Sequence, residues 1–242
     1  MNCSKVARWA WLAAAGLGVA ACSPTAAPSM PSPAVNDMAT GTGGGGGGGG
    51  THGPEDMAMA TTGGALPFVV DTVFVSSGFM GDGSTAGTIA MVPAKTGDST
   101  DCNGMRASSS AAGSCHAVTY TPPASGGMGW GGVFWQYPAN NWGMKAGYAL
   151  PAGAKKVTFQ ARGQKGGEKV TFLAGGIQGA GNPYTDSVKA TVTVTLTNTW
   201  MPYSIDLSGQ SYSQVLGGFG WTMVATDAGA RGAFFVDDIE WQ

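Results

Sequence analysis

The stretch GWGGVFWQYPANNWG, residues 129–143, sets Trp130, Phe134, Trp135, Tyr137 and Trp142 among glycines and carboxamides, with no charged residue. An indole or phenol ring left in water offers a flat apolar face, and nearby amides offer planar hydrogen-bonding groups. That pairing suits a ligand with C–H faces and ring hydroxyls, which is the chemistry of a sugar. Alternation along a strand sets Val133, Trp135 and Tyr137 on one side and Phe134 and Gln136 on the other. Trp135, between two apolar neighbours, belongs to the core. Phe134 and Gln136 then form a second, ligand-facing surface, shared with Gln160 and Arg162 of another strand. Trp130 and Trp142 fall outside this strand, in Gly/Asn-rich connections, and loops on a rigid scaffold carry binding residues disproportionately. Asn140 and Asn141 add amides beside Trp142, although Asn-Asn is also ordinary turn chemistry. The loop GGIQGAGNPYTDSV supplies Gln178, Tyr184 and Asp186 as a second wall of the same cleft.

Catalytic chemistry finds less support. A glycosidase needs two carboxylates flanking the bond at a set separation. The only glutamates after residue 65 are Glu168, in a Gly-rich turn, and Glu240, in the last apolar run. Alternation puts Asp238 and Glu240 on one face, but Phe234 and Val236 share it. His116 directly follows Cys115 and lacks the strand-turn-helix setting of a nucleophile elbow. Lys145 and Tyr184 could serve a lyase, yet nothing in the sequence positions them together. The favoured expectation is sugar binding without catalysis, to a polysaccharide or glycoconjugate. The alternatives are an envelope structural or interaction protein with its aromatics buried, and a glycan-active hydrolase or lyase.

These residues must be held by the part of the chain beyond an export segment. Residues 1–22 carry Lys5 and Arg8, then the apolar run WAWLAAAGLGVAA ending at Cys22, too short for a flanked transmembrane helix and suited to a signal peptide. The tetrapeptide VAAC resembles a bacterial lipobox. That resemblance implies acylation of Cys22 and a chain anchored to the bacterial envelope, at the outer membrane or cell surface, by its N-terminal lipid alone. Residues 23–65 are rich in Pro, Ala and Gly, including an unbroken glycine run at 43–50, and cannot bury enough apolar area to order themselves. As a coil they span roughly 35 Å. Residues 66–242 are long enough for one domain with a sizeable core. They hold 11 acidic and 10 basic residues, and the absence of a basic stripe argues against nucleic acid. In an exported chain the isolated pair Cys102 and Cys115 reads as a disulfide.

The period throughout 66–242 is two. KATVTVTLTNTW sets Ala190, Val192, Val194 and Leu196 against threonines, and KKVTFQARG sets Val157, Phe159 and Ala161 against Thr158, Gln160 and Arg162. EKVTFLAGG comes after GQKGG, which predicts a hairpin. With PFVVDTVFV, GTIAMVPA, HAVTYTP, GVFWQYP, PYSIDLS, LGGFGWTMVAT and GAFFVDDIEWQ, about ten strands and no helical period point to an all-β, two-sheet jelly-roll sandwich.

Three segments in order, FVVDTVFVSSGFMGDG, GWGGVFWQYPANNWG and GAFFVDDIEWQ, resemble the galactose-binding-like jelly rolls that serve as carbohydrate-binding modules. TWMPYSIDLSG followed by VLGGFGWTM resembles their penultimate strands. The resemblance implies sugar binding without transformation and a structural calcium ion between the N- and C-terminal strands, with no organic cofactor. Calcium takes six to eight oxygen ligands gathered from separate loops. Asp71, Asp82, Asp237 and Asp238 are the candidates, Asp82 and one of the C-terminal pair foremost.

Overall fold

The computed structural model describes residues 64–81, 87–92, 102, 105–124, 129–179, 181–228 and 231–242. The expected export segment with Cys22, almost all of the expected linker, and Asp82 lie outside the described residues. None of the described helices is long and apolar enough to cross a membrane.

Among the described residues, period-two alternation builds eleven strands: β1 (Phe68–Val69), β2 (Val75–Gly81), β3 (Thr88–Val92), β4 (His116–Thr121), β5 (Trp130–Gln136), β6 (Lys156–Gly163), β7 (Lys169–Gly175), β8 (Lys189–Thr195), β9 (Met201–Asp206), β10 (Gly217–Val224) and β11 (Gly232–Trp241). They pair antiparallel in two sheets. One runs β3-β4-β11-β6-β9, with β1 added to β11, and the other runs β2-β5-β10-β7-β8. This is the expected all-β jelly-roll sandwich. Its only helical pieces among the described residues are the 3₁₀ turn Val70–Thr72 and the four-residue helix Ala225–Ala228.

The inward residues of the two sheets meet in an aromatic core. Phe159 of β6 lies 4.5 Å from Phe172 of β7, and Trp221 of β10 lies 5.2 Å edge-on from Phe234 of β11. Such contacts between facing sheets supply the main apolar burial and add about 1 kcal/mol each beyond area. Trp135 is buried as the sequence implied, and its indole Nε1 donates to Asp71 Oδ1 at 2.9 Å. Cys102 and Cys115 are bonded, closing a loop of separation 13.

Two local expectations are corrected. PFVVDTVFV is not one strand: the 3₁₀ turn at Val70–Thr72 interrupts it and buries Val70 while turning Asp71 towards Ser114 and His116. The GQKGG hairpin does not form, because β6 and β7 belong to opposite sheets. Gln164 N donates to Ala233 O and Gly167 N to Leu196 O, so the turn is a corner that carries the chain from one layer to the other. Positive φ at Gly166 and Gly167 permits that corner.

Candidate functional site

β5 begins at Trp130, so that tryptophan opens the strand and does not lie in the preceding loop as its glycine neighbours implied. Gly131 and Gly132 stay in the strand because a Cβ would meet the Tyr120 ring at 2.8 Å and collide with the Trp221 carbonyl. Trp130 is half-buried opposite the exposed Val224 of β10. Further along, both sides of β5 are dry. Gln136 is fully buried: its Nε2 donates to Asn141 O at 3.1 Å, and its Oε1 accepts from Ser77 Oγ at 3.1 Å. It is a packing residue, withdrawn from the ligand set because no ligand reaches it.

What covers β5 is a pair of loops that grip one another. Asn141 is buried and bonded on both sides of its amide. Nδ2 donates to the carbonyls of Tyr137 and Lys145 at 2.9 Å, and Oδ1 accepts from the N–H groups of Gly143, Met144 and Lys145 at 3.1 Å. Those five bonds shape the turn and leave Asn141 none for a ligand. The same turn throws Trp142 outward, 38% exposed, and Met144, 69% exposed. The Trp142 ring meets Phe134 edge-on at 6.3 Å. From the second loop, Asn182 Nδ2 donates to Trp142 O at 2.5 Å and Tyr184 N to Gly143 O at 3.1 Å. The two segments expected to wall one cleft are therefore in direct contact.

Beneath them Phe134, Ile177 and Leu216 make a small cluster apart from the main core, against which Met80, Leu173 and Tyr184 pack. Asp186 anchors this floor from below. Its oxygens accept from Ile177 N at 2.7 Å and from the N–H groups of Leu216 and Gly217, and it is buried. Burial pushes its carboxyl up to about 6, against the lowering effect of those donors. Asp186 thus stitches loop to sheet and, like Gln136 and Asn141, leaves the ligand set. Trp142, the half-buried Tyr184 and the exposed Gln178 remain at the surface. Beside them the outer side of the five-stranded sheet bears Thr171 and Thr193, paired hydroxyl to hydroxyl at 2.8 Å, and Thr191.

Gln160 and Arg162 do not share this surface. They point outward from β6 in the other sheet, on the opposite side of the sandwich, so the single ligand-facing surface joining them to Phe134 and Gln136 does not exist. The Arg162 guanidinium sits 4.3 Å over the Phe235 ring and 5.5 Å from Trp200. Trp200, which alternation marks only as a strand end, has its Nε1 tied to Met105 O at 3.1 Å. Its position between the threonine ladder and β9, outside the alternation of either strand, was the available signal.

The aspartates proposed as calcium ligands are already engaged by donors. Asp237 is fully buried and accepts Arg106 Nε at 3.2 Å, an Arg106 terminal nitrogen at 2.7 Å and Ala107 N at 2.9 Å. Asp238 accepts Ala112 N at 2.7 Å. Asp71 accepts Ser114 N and Trp135 Nε1, both at 2.9 Å, and lies 3.2 Å from His116 Nε2. Burial alone would raise the Asp71 carboxyl, but His116 and the other donors outweigh it and hold the group below its usual value. All three carboxylates grip the disulfide loop through N–H groups, which repel a cation. No group of three His, Cys, Asp or Glu suited to a metal ion occurs among the described residues. The described carboxylates do not fit a calcium ion. His116 is buried and, among the described residues, no hydroxyl or thiol is hydrogen-bonded to it as a nucleophile would be.

No family model matches the chain. No curated protein matches it either. Among solved structures it is similar to the family 11 carbohydrate-binding module of cellulosomal cellulase Lic26A-Cel5E of Clostridium thermocellum, with 14% identity, TM-score 0.41, and coverage of 74% of this chain and 94% of that one. A family 30 carbohydrate-binding module is similar at 15% identity and TM-score 0.39, over 69% and 82%. A family 61 module in complex with β-1,4-galactotriose is similar at 17% identity and TM-score 0.34, over 67% and 84%. The likeness is one of fold.

Proposed function

We propose that the domain binds a polysaccharide without transforming it, on the outer side of the five-stranded sheet around Trp142. The observation that carries this reading is an indole held 38% exposed by a turn whose own polar groups are fully used. An aromatic face kept rigid in water loses little conformational entropy when a ligand stacks on it, so its apolar contact goes into affinity. Tyr184 packs on the same Phe134 cluster as Trp142, and the exposed amide of Gln178, next in sequence to Ile177 of that cluster, and the hydroxyls of Thr191 and Thr193 stand ready for ring hydroxyls. Acylated Cys22 and the chain between it and the domain complete the reading as a tether to the bacterial envelope, the ligand being captured at the cell surface.

Affinity electrophoresis through gels of soluble glucan, xylan and mannan tests this. Retardation on at least one polymer is expected, and Trp142→Ala should abolish it while leaving the melting temperature within about 2 °C of the parent, as for a surface substitution. No retardation of the folded protein on any polymer would favour an envelope interaction role instead. Release of reducing ends would mark an enzyme.

A further inference from the structure

We propose a second glycan site on the opposite side of the sandwich, in a groove where β6, β9 and the end of β11 meet. The groove measures about 560 Å³ and is lined by Lys156, Thr158, Gln160, Pro202, Ser204 and Asp238, among others. Register places them: Thr158 pairs with Ser204 and Gln160 with Pro202 across β6 and β9, so all four present their outward sides together. A bulge opens the third wall. Between Asp237, opposite Gln160, and Glu240, opposite Thr158, β11 has one residue more than β6. Such a bulge bends its strand and re-aims a side chain. Here it leaves Asp238 at φ 57, a conformation Asp tolerates better than most residues, with its side chain lining the groove.

Most polar groups in this groove differ from those of Asn141 or Asp186 because they are unspent; the exceptions are Gln242 Nε2, which donates to Glu240, and Asp238 Oδ1, which accepts Ala112 N. Among the described residues the Lys156 ammonium, the Thr158 and Ser204 hydroxyls and the Gln160 amide have no hydrogen-bond or ion-pair partner, and Asp238 Oδ2 has none. One cation (Lys156) and one anion (Asp238), with the amides of Gln160 and Gln242 and the hydroxyl residues Thr158, Ser204 and Tyr203, make a nearly neutral donor and acceptor set, with the Pro202 ring as an apolar element. An acidic polymer meets Asp238 and a cationic one meets Lys156, whereas a neutral polyol satisfies both. Beyond Gln160 the strip continues to Arg162 stacked on Phe235 and to Trp200, whose Nε1 bond to Met105 O fixes the indole. The ligand class is therefore a neutral glycan, as proposed for the Trp142 surface, and this inference rests on that proposal for its choice of sugar alone. With one site on each outer surface, the protein is bivalent and joins two chains.

Isothermal titration with cellohexaose, xylohexaose and mannohexaose, using the parent protein, Trp142→Ala, Ser204→Trp and both together, separates the two sites. Ser204 is exposed on an edge strand, so tryptophan there fills the groove without entering the core. A stoichiometry of two for the parent, one for each single variant and none for the double is expected. Gln160→Ala in the Trp142→Ala background should weaken the remaining site about three- to tenfold, the loss of one neutral hydrogen bond. Complete loss of binding in Trp142→Ala, or a Ser204→Trp isotherm that matches the parent together with a Gln160→Ala isotherm that matches its Trp142→Ala background, would overturn the groove and leave the Trp142 site standing. Binding unaffected by Trp142→Ala yet lost in Ser204→Trp would do the reverse. No heat with any of the three sugars refutes both.

Discussion

Replacing Asp186 by Asn gives the sharpest test of how the loops over β5 are held. The carboxyl titrates at about 6 in the folded protein, against an ordinary value of 3.8, because burial disfavours its charge. A folded-state value above the unfolded one means the native protein binds the proton more tightly, so stability rises as pH falls from 7 and levels off below 3.8. Between pH 7 and pH 5 the difference amounts to a factor of about nine in the folding equilibrium, about 1.3 kcal/mol. For a domain of this size that is about 3–5 °C in melting temperature. Asp71, held below its usual value, contributes stability at neutral pH that is lost only as pH falls below that range, outside this window. Asparagine turns an Nδ2 donor towards one of the backbone N–H groups that the carboxylate accepted, a loss of about 1–3 kcal/mol at pH 7 to which the protonation difference adds as pH falls. The assay is thermal melting of parent and Asp186→Asn at pH 5, 6 and 7. All other titrating groups cancel in the difference between the two proteins. The parent should gain about 1.3 kcal/mol on going to pH 5 relative to the variant. A parent that loses stability relative to the variant over that range would refute burial as the dominant influence on Asp186.

Arg106→Ala strips the buried Asp237 of its cation beneath the disulfide loop, on the outer side of the sheet, and should destabilise by about 3–5 kcal/mol in denaturant titration, more than a surface arginine. Cys102→Ser with Cys115→Ser should lower stability by about 3 kcal/mol in the same assay, the loop-entropy value for a closure of this length. Because Asp71, Asp237 and Asp238 already have N–H donors, the melting temperature should be the same in excess calcium and in chelator. A rise with calcium that is lost in Asp237→Asn would show that the ion displaces Arg106, and a rise kept in that variant would place the ion at other carboxylates. Gly220→Ala sets a Cβ 2.6 Å from the Phe134 ring and should cost about 1–3 kcal/mol by overpacking the base on which Trp142 rests, read by thermal melting.

The sandwich was legible because burial of one side of a strand leaves a period-two trace, as in β6 and β8, whose inward and outward residues came out as the alternation required. What alternation does not encode is partnership. β6 and β7 are adjacent in sequence and each alternates correctly, yet the corner at Gly166 and Gly167 sends them to different layers. The outward side of β5 failed for a related reason. Phe134 and Gln136 alternate as surface residues of the sheet do, but the loops after β5 and β7 fold back over them, a tertiary event written at neither position.

The site residues divide along a line that residue type cannot draw. Asn141 and Gln160 are both carboxamides flanked by aromatic segments, and from the sequence either suits a sugar hydroxyl. Folded, Asn141 makes five bonds to its own turn, while Gln160 makes none among the described residues. A buried polar group that has exchanged water for backbone partners gains nothing further from a ligand and costs about 1–3 kcal/mol if pulled away. One that still faces water in a concavity exchanges that water for a hydroxyl at little net cost. By this criterion Gln136, Asn141 and Asp186 are the frame that presents Trp142, and Gln178, Gln160 and Asp238 are groups with capacity left to bind. Around the proposed Trp142 site, frame and contact residues alternate within a few positions of the same two loops, so substituting either kind should reduce binding there. Only the frame residues will lower the melting temperature with it, and that coupling is what separates the two roles in experiment.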